Sequence, residues 1–373
     1  MSAFDVLIIG SGIAGAGAAY ELSAGARVLL LEREDAHGYH TTGRSAALYM
    51  ETYGNAVIRG LTRASRAAFE APPEGFASVP LLTQRGVLHI ARADQLDLLS
   101  QVPEKADGGE MIALDQAATL EKVPVLRADY VAAGMYEPAA MDMDVEAIHQ
   151  GFLRGARTRG AEVRTGCEVT AIAREGEGWR VACASGETFT AKMLIDAAGA
   201  WADRVAAMAG VRPVGLQPLR RTALIVDAPE GLDIRAWPAV IDVSEEFYFK
   251  PDAGRILASP ADETPSDPTD AAPDELDVAI CVDRMQQAAD IPVRRVVRSW
   301  AGLRSFVADR SPVIGFDDQA PGFFWLAGQG GYGVQTAPAA ARAAAALARG
   351  QALPADILAE GVTAEALSPA RLR

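Results

Sequence analysis

Three glycines near the start of the chain, Gly10, Gly12 and Gly15, have the spacing of a dinucleotide-binding turn. In such a turn the first glycine permits the tight bend, the second lets the backbone approach a pyrophosphate, and the third lets the following helix pack closely on the strand. Glu32 follows about 20 residues later, where a carboxylate accepts hydrogen bonds from a ribose diol. The same carboxylate would repel the additional phosphate of NADP, which leaves NAD or FAD as the predicted ligand.

Two strands and a helix must hold these residues in place. Residues 6–9 are a short unbroken apolar run, typical of a buried parallel strand. Residues 14–24 predict a helix whose free N–H groups and positive dipole end face the phosphates, and residues 27–31 predict a second strand. Strand, glycines, helix, strand and acid occur in this order, which favours a dinucleotide-binding unit over an ordinary glycine-rich turn.

Two more segments of small residues follow apolar strands. Residues 196–201 come after the run 193–195, and residues 328–333 come between the run 323–327 and a helix predicted from Gln335. The polar segment 40–45 precedes a helix predicted to begin at Ala46, and it either binds a phosphate or flavin edge or is a cluster of capping residues. Three glycine-rich strand ends indicate one ligand bound across them.

The composition limits what kind of protein this is. With 373 residues, of which 50% are hydrophobic and 23% charged, the chain has ordinary globular composition and room for two domains or one composite domain. A formal net charge of −14 argues against nucleic acid or an anionic membrane as a partner. Three scattered cysteines predict no metal site and no disulfide framework. Together with a first strand close to Met1 and no long apolar run, they predict a cytoplasmic protein without a leader or a membrane span.

Five stretches carry a resemblance to a known family. They are GYHTTGRSAA (38–47), DAAGAW (196–201), FYFKPDAG (247–254), WAGLRSFVADRSPVIG (300–315) and GQGGYGVQT (328–336). With these and the N-terminal glycine turn, the chain resembles the FAD-dependent D-amino-acid oxidase superfamily over essentially its whole length. It looks most like the bacterial D-arginine dehydrogenase branch.

The resemblance implies an α/β fold with two domains. A Rossmann-like FAD-binding domain, discontinuous in sequence, would comprise residues 1–80, 141–215 and 306–373. An α+β substrate-binding domain, built on a mainly antiparallel sheet, would comprise residues 81–140 and 216–305. Strand patterns at 220–226, 247–250 and 255–258 agree with such a sheet, and residues 81–90 predict one strand with Val87 and His89 on the same face.

The resemblance also implies how FAD is held. The pyrophosphate would lie on Ser11 and Gly12, the ribose on Glu32, and the adenosine end on Arg33 and Val169. The full set of implied FAD contacts is Gly10, Ser11, Gly12, Ile13, Ala14, Gly15, Glu32, Arg33, Thr41, Thr42, Arg44, Ser45, Ala46, Val169, Ala198, Gly199, Trp201, Gly330, Tyr332, Gly333, Val334, Gln335 and Thr336. Relatives that tether FAD covalently use a cysteine near residues 304–312, and none occurs there, so we expect non-covalent FAD.

The substrate contacts implied by the resemblance are Arg221, Tyr248, Arg304, Tyr53 and the carbonyl of Gly331. Two arginines and a phenol would grip the carboxylate of an amino acid, and a backbone carbonyl would hold its amine. Both ends fixed in this way orient the Cα–H toward the flavin. Hydride transfer from Cα to flavin N5 would give an imino acid, which water hydrolyses to a 2-oxo acid and ammonia.

The chain departs from D-arginine-selective relatives at three positions. Val87 stands where they have a glutamate facing the guanidinium, Leu48 where they have a histidine, and Met50 where they have a threonine. We therefore predict a preference for apolar or uncharged D-amino acids over D-arginine. Glu246 could restore a cation site, and His89 either faces the pocket or is a structural histidine.

Several alternatives stay open at this point. The same fold could act on a 2-hydroxy acid or a secondary amine, because an arginine pair recognises only a carboxylate. A non-catalytic flavoprotein and a nicotinamide-linked dehydrogenase are disfavoured by the substrate residues and by the additional flavin-facing segments. The electron acceptor is oxygen or, as the resemblance favours, a quinone or a carrier protein. The oligomeric state is not predicted.

Overall fold

The computed structural model describes residues 3–106 and 109–373, so Met1, Ser2, Asp107 and Gly108 of the predicted domain ranges lie outside it. The strands are β1 (Ala3–Ile9), β2 (Val28–Leu31), β3 (Leu48–Tyr49), β4 (Leu82–Gln84), β5 (Val87–Ala91), β6 (Ile112–Asp115), β7 (Ala133–Glu137), β8 (Met141–Met143), β9 (Glu162–Arg164), β10 (Val169–Glu175), β11 (Gly178–Cys183), β12 (Thr188–Asp196), β13 (Gln217–Asp227), β14 (Ala239–Asp242), β15 (Tyr248–Asp252), β16 (Arg255–Ser259), β17 (Thr264–Pro265), β18 (Val296–Phe306), β19 (Val313–Phe316) and β20 (Phe323–Ala327). The α-helices are α1 (Ile13–Leu22), α2 (Ala56–Glu70), α3 (Leu96–Gln101), α4 (Gln116–Lys122), α5 (Val145–Thr158), α6 (Ala202–Met208), α7 (Glu275–Ala288), α8 (Ala337–Ala348), α9 (Ala355–Ala359) and α10 (Ala364–Leu367). Short 3-10 helices span Thr42–Arg44, Ala93–Gln95, Val102–Ala106, Gly199–Trp201 and Pro369–Leu372.

The first sheet holds the glycine turn. Its strands run in the order β10-β11-β12-β1-β2-β9, with β20 beside β12 and β19 beside β20. Strands β9, β2, β1, β12 and β20 are parallel. On one face Val6 and Ile8 pack on α1, α5 and α8, and on the other face Leu7 and Ile9 pack toward β11 and α6. Burial of both faces explains why residues 6–9 are uniformly apolar.

The second sheet holds the other half of the site. Its order is β17-β13-β16-β15-β14-β5-β7-β6, with β18 on the second edge of β13, and every pair is antiparallel except β14 with β5. One face, including Leu88, Leu224 and Phe249, packs under α7 on Cys281 and Met285. Since side chains alternate along a strand, the residues between these positions point to the opposite face. The strands of this sheet come from residues 87–137 and 217–306, and the predicted domain boundaries stay a prediction.

Two local predictions were wrong. Residues 81–90 do not form one strand, because Arg85 and Gly86 separate β4 from β5, and β4 pairs with β8 in a small third sheet with β3. Gly86 has φ +73, and a Cβ there would lie 2.6 Å from the Tyr136 ring, so the chain bends at a position that only glycine fits.

The helix predicted to begin at Ala46 is absent as well. A 3-10 turn over Thr42–Arg44 is followed by extended chain that leads into β3. The Trp300 indole N–H donates to the Arg44 carbonyl at 3.0 Å, so this carbonyl is used by a distant strand instead of a helical turn.

Candidate cofactor and substrate site

A long cavity runs from the carboxyl ends of β1, β12 and β20 to the open face of the second sheet. The predicted cofactor residues that line it are Gly10, Gly12, Ile13, Ala14, Glu32, Arg33, Thr41, Thr42, Arg44, Ser45, Ala46, Val169, Ala198, Gly199, Trp201, Gly330, Gly333 and Val334. The predicted residues that do not line it are Ser11, Gly15, Tyr332, Gln335 and Thr336. Their contacts, described below, show that they support the wall from behind.

The glycine turn is closely packed. Gly10 has φ +98, and a Cβ there would lie 2.4 Å from the carbonyl oxygen of Ala197. A Cβ on Gly15 would lie 1.9 Å from the carbonyl oxygen of Gly10. These contacts bring the start of α1 directly onto the ends of β1 and β12, so that its N-terminus faces the cavity. Thr42 Oγ1 accepts the hydrogen bond of Ile13 N at 3.0 Å and caps this helix.

Ser11 is held by side chains instead of facing the cavity. Its N–H and its hydroxyl both donate to Glu32 Oε2, at 2.9 and 2.8 Å. His37 Nδ1 lies 2.8 Å from the same hydroxyl, and His149 Nε2 donates to the Ser11 carbonyl at 2.8 Å. Burial lowers the pKa of both His37 and His149. Neither histidine could be predicted from the sequence, because each contacts Ser11 only through the fold.

The end of the cavity near Glu32 carries a cluster of flat side chains, in which the His40 ring is tilted by 47° from the Trp201 indole. The Arg33 guanidinium lies 4.5 Å from the Trp201 ring centroid, and the His40 ring lies 4.6 Å from the same indole. His40 also bonds Glu34 Oε1 at 2.8 Å. Val169 completes this end of the wall, and its contact with the adenosine end stays a prediction. His40 lines the cavity and was not among the predicted contacts.

Arg44 does not offer its guanidinium to a ligand. Its Nη1 donates to the carbonyls of Ala271 and Ala301, at 2.9 and 3.0 Å, and its Nη2 pairs with Asp270. These bonds fasten the loop of residues 259–274 beside the cavity. Any contact of Arg44 with phosphate or flavin is therefore limited to its backbone and to the aliphatic part of its side chain.

The turn after β20 closes the cavity from below. A Cβ on Gly330 would lie 2.1 Å from the Phe306 ring. Gln335 points inward, where its Nε2 donates to Thr62 Oγ1 at 2.8 Å and its Oε1 accepts from Met50 N at 3.3 Å. Thr336 likewise bonds within the turn, to the Tyr332 carbonyl at 2.9 Å.

A second, adjoining cavity lies against the open face of the second sheet. Its lining includes Leu48, Met50, Thr52, Tyr53, His89, Val102, Arg221, Ile241, Val243, Glu245, Phe247, Tyr248, Arg304 and Gly331. The residues shared by the two cavities are Ser45, Ala46, Arg221, Tyr248, Arg304 and Gly331. The predicted substrate anchor is thus at the junction, apart from Tyr53, which lies on the side of the second cavity.

The anchor is made of two arginines on neighbouring strands. Arg304 on β18 pairs in register with Leu219 on β13, two residues before Arg221, so both arginines point to the same face. Arg304 Nη1 donates to the Tyr53 hydroxyl at 3.3 Å, and among the described residues no carboxylate lies within 4.0 Å of its guanidinium. Gly331 lies flat against this guanidinium, since a Cβ there would be 2.9 Å from Nη1.

Arg221 is compensated only in part. Its side chain is 12% exposed, and its Nη2 lies 3.3 Å from Glu263 Oε1, a carboxylate that also binds Arg310. Burial, and then the positive charge of Arg304, lower the pKa of Arg221. Two close guanidiniums with so little counter-charge form a site for an anion.

Two of the predicted pocket residues do not line the pocket. Val87 is fully buried and packs with Met50, Ala140 and Ala239 beneath the cavity wall. Glu246 is exposed, because the turn after β14 bonds Glu245 N to the Asp242 carbonyl at 2.8 Å and points Glu246 outward. Glu245, with φ +58, lines the cavity in its place. His89 does line the cavity, and its Nε2 is buried without a hydrogen-bond partner.

Comparison with known proteins identifies the family. Residues 5–347 match the family described as DAO, FAD dependent oxidoreductase. The chain belongs to this family. It is 24% identical to a glycine oxidase of Geobacillus kaustophilus, over 90% of each chain, and 28% identical to sarcosine oxidase subunit beta of Rhizobium meliloti, over 83% of this chain and 76% of that one. The solved structure of L-alpha-glycerophosphate oxidase from Mycoplasma pneumoniae with FAD bound has a TM-score of 0.83 and 22% identity over 94% of this chain and 95% of that one, so the fold is shared.

FAD is the cofactor of this DAO-family oxidoreductase, and the residues present fit it. The turn at Gly10 brings backbone against the ends of β1 and β12 as a pyrophosphate requires, and Glu32 keeps its carboxylate in the wall where a ribose would lie. The α/β fold with a mainly antiparallel second sheet is the predicted one. Among the described residues no helix is long and apolar enough to cross a bilayer, and no cluster of metal-ligating side chains occurs.

Proposed function

We propose that this flavoenzyme oxidises D-amino acids with apolar or uncharged side chains to imino acids, which water converts to 2-oxo acids and ammonia. The observation that carries the proposal is the pair Arg221 and Arg304 at the junction of the two cavities, with Tyr248 beside it. A guanidinium without a carboxylate partner at a cavity wall is costly unless an anion binds there. The substrate carboxylate is that anion.

The residues of the junction fix both ends of the reacting group. Arg304 and Arg221 hold the carboxylate, the first by its planar two-pronged geometry. The Tyr248 hydroxyl donates a hydrogen bond to the same carboxylate, and the carbonyl of Gly331 accepts a hydrogen bond from the amine. FAD, when bound, supplies at N5 the acceptor for the hydride of Cα. Orientation by three or four contacts is the main contribution that the chain makes to such a reaction.

The names of two relatives support an amine next to a carboxylate. One is called a glycine oxidase and the other a subunit of sarcosine oxidase. Glycine and sarcosine share with D-amino acids the group that the arginine pair and the Gly331 carbonyl would hold. Because sarcosine is a secondary amine, oxidation of a secondary amine is the second candidate function.

The walls of the second cavity support the preference for uncharged side chains. Leu48, Met50 and Ile241 present apolar surface, where each buried methylene contributes about 0.8 kcal/mol. Among the described residues no lysine or arginine apart from the anchor pair lines this cavity, which disfavours an anionic side chain. The described carboxylate that lines it, Glu245, is exposed to solvent, which weakens its attraction for a cationic side chain. We propose that the enzyme is a dehydrogenase, so that its reduced flavin passes electrons to a quinone or a carrier protein, as the resemblance to the D-arginine dehydrogenase branch implies. We also propose that it acts in the cytoplasm.

Anaerobic reduction of the bound flavin tests the proposal. The purified enzyme is mixed with both enantiomers of alanine, leucine, phenylalanine and arginine, and with glycine, sarcosine and lactate. We expect the flavin absorbance to bleach fastest with an uncharged D-amino acid. Bleaching by sarcosine alone supports the second candidate, and fastest bleaching by D-arginine or by lactate contradicts the proposal. Later addition of oxygen or a soluble quinone identifies the acceptor.

A further inference from the structure

The spacing of strands on the open face of the second sheet gives the distance between the carboxylate anchor and the far end of the substrate cavity. Tyr248 on β15 pairs in register with Ile241 on β14, which pairs with His89 on β5. Neighbouring strands are about 4.8 Å apart, so His89 stands about 10 Å from the Tyr248 position, on the same face. The cavity that begins at the carboxylate anchor therefore reaches His89 as its next polar side chain along the sheet.

The imidazole of His89 has an unusual environment for a buried ring. Its side chain is 13% exposed, and Nε2 is buried without a hydrogen bond, 4.0 Å from Glu137 Oε2. Nδ1 has no described hydrogen-bond partner either, but it is not buried, and His89 lines the cavity. The geometry thus turns Nε2 toward the carboxylate and leaves Nδ1 for a ligand.

Glu137 lies on the neighbouring strand β7, on the side of the His89 ring that carries Nε2. It stands opposite Val87 in the β5–β7 register, and its side chain is 4% exposed. The Thr52 hydroxyl donates to Oε2 at 2.7 Å, and no other described group donates a hydrogen bond to this carboxylate. A carboxylate near Nε2 favours the tautomer that keeps its proton there, so Nδ1 presents a lone pair to the cavity.

From this arrangement we propose that His89 recognises the far end of the substrate side chain, and that the preferred substrate carries a hydrogen-bond donor there, such as a hydroxyl or an amide. The inference rests on the proposed function and narrows its substrate class. His89 contacts the ligand, whereas Glu137 is a positioning residue that acts through the imidazole. An anionic side chain is disfavoured, since Glu137 lies behind the ring and Glu245 lines the same cavity.

An apolar side chain would leave Nδ1 desolvated without a partner. An unmade hydrogen bond of this kind costs about 1–3 kcal/mol, which corresponds to a preference of about 5- to 150-fold for the donor-bearing substrate. The apolar walls between the anchor and His89 still accept the body of the side chain. Within the uncharged class of the proposed function, the selected side chain therefore has an apolar body and a hydrogen-bond donor at its tip.

Pairs of amino acids with similar shape test the inference. We would measure kcat/KM for threonine against valine, asparagine against leucine, and tyrosine against phenylalanine, in the enantiomer that reduces the flavin. In the native enzyme we expect the donor-bearing member to be favoured at least about tenfold in one pair. The substitution His89→Leu should bring that ratio close to one through KM, because the donor-bearing member loses its acceptor and the apolar member no longer desolvates Nδ1.

Two further variants separate recognition from structural damage. Glu137→Gln should lower the ratio by a smaller factor than His89→Leu, because it frees the imidazole tautomer but keeps the imidazole and an acceptor for Thr52. Glu121→Gln, an exposed carboxylate on α4, is the matched control and should leave the ratio unchanged. If amino acids are oxidised but His89→Leu does not change the ratio, the inference is wrong while the proposed function stands. If none of them reduces the flavin, both are wrong.

Discussion

The two halves of the site are built in different ways. On the side of the first sheet the wall is made largely of backbone and small residues, and its shape depends on close contacts such as that of Gly15 with the Gly10 carbonyl. On the side of the second sheet it is made of long side chains, Arg221, Tyr248, Arg304 and His89, projecting from one face. The first half is built to hold one large ligand, and the second half is built to choose among small ones.

The difference shows what a substitution can change in each half. A change in the backbone wall alters whether FAD is held at all, because the closely packed glycine turn has no space for additional atoms. A change on the second sheet alters which substrate reacts and how fast, because the strands keep their register when one side chain is exchanged. Cofactor content and substrate kinetics should therefore respond to separate sets of variants.

The largest effect is expected at Arg304. Loss of a buried charge-assisted partner costs about 2–5 kcal/mol, so Arg304→Met should lower kcat/KM at least about 30-fold. The flavin content should stay the same, since the residue lies on the second sheet. Arg298→Met, an exposed arginine on the same strand, is the control. Loss of flavin in Arg304→Met alone would show that the two halves are not separable.

A smaller effect is expected at Gly15. In an ordinary helix, glycine to alanine stabilises by about 1 kcal/mol. Here the added Cβ would lie 1.9 Å from a backbone oxygen, so Gly15→Ala should instead destabilise by about 1–3 kcal/mol and reduce the ratio of flavin to protein. Gly25→Ala, where nothing lies within 4 Å of the added Cβ, should retain both stability and flavin. Thermal unfolding and flavin absorbance measure the two quantities, and equal behaviour of the two variants would contradict the packing described here.

The cofactor half should also respond to pH through His149. Burial lowers the pKa of this residue, so the unfolded chain binds a proton that the folded chain does not. Its contribution to stability is therefore full above the unfolded pKa of about 6.5 and is lost as pH falls toward the lower folded value. His149→Gln should give a shallower decrease of melting temperature below about pH 6.5 than the native protein. Parallel curves for both proteins would exclude this role.

The smallest expected signal concerns the attachment of FAD. No cysteine occurs within residues 304–312, so acid precipitation should leave the flavin in the supernatant. Cys167 lines the cavity at its other end, and burial raises the pKa of its thiol, which makes it a poor nucleophile. Flavin that stays with the precipitated chain would contradict non-covalent binding.

The two halves of the site could not be predicted equally well from the sequence. The glycine turn could be inferred because its geometry depends on residues within one short segment. The arginine pair came from family resemblance, since Arg221 and Arg304 meet only through the β13–β18 register. The prediction for Val87 missed the wall because Met50, Ala140 and Ala239 cover this residue, although it lies on the same face of β5 as His89. The prediction for Glu246 missed it because this residue lies in the turn after β14, where strand alternation does not apply.

Other residues of the site had no sequence signal at all. His149 reaches the Ser11 carbonyl from α5, and Glu137 lies behind His89 only because β5 and β7 pair. Both depend on contacts between segments that are distant in the sequence. Arg44 is the opposite case. It lies in a segment that resembles the family, but its guanidinium binds Asp270 and two backbone carbonyls and not the ligand.

Binding of a simple carboxylate to the oxidised enzyme tests the junction most directly. Acetate is titrated into the native protein and into Arg304→Met, with Arg298→Met as control, and the perturbation of the flavin spectrum gives the dissociation constant. We predict that acetate perturbs the flavin of the native and control proteins, and that Arg304→Met binds it at least about 30-fold more weakly. Equal affinity in all three proteins, with flavin retained, would contradict a carboxylate site beside the flavin.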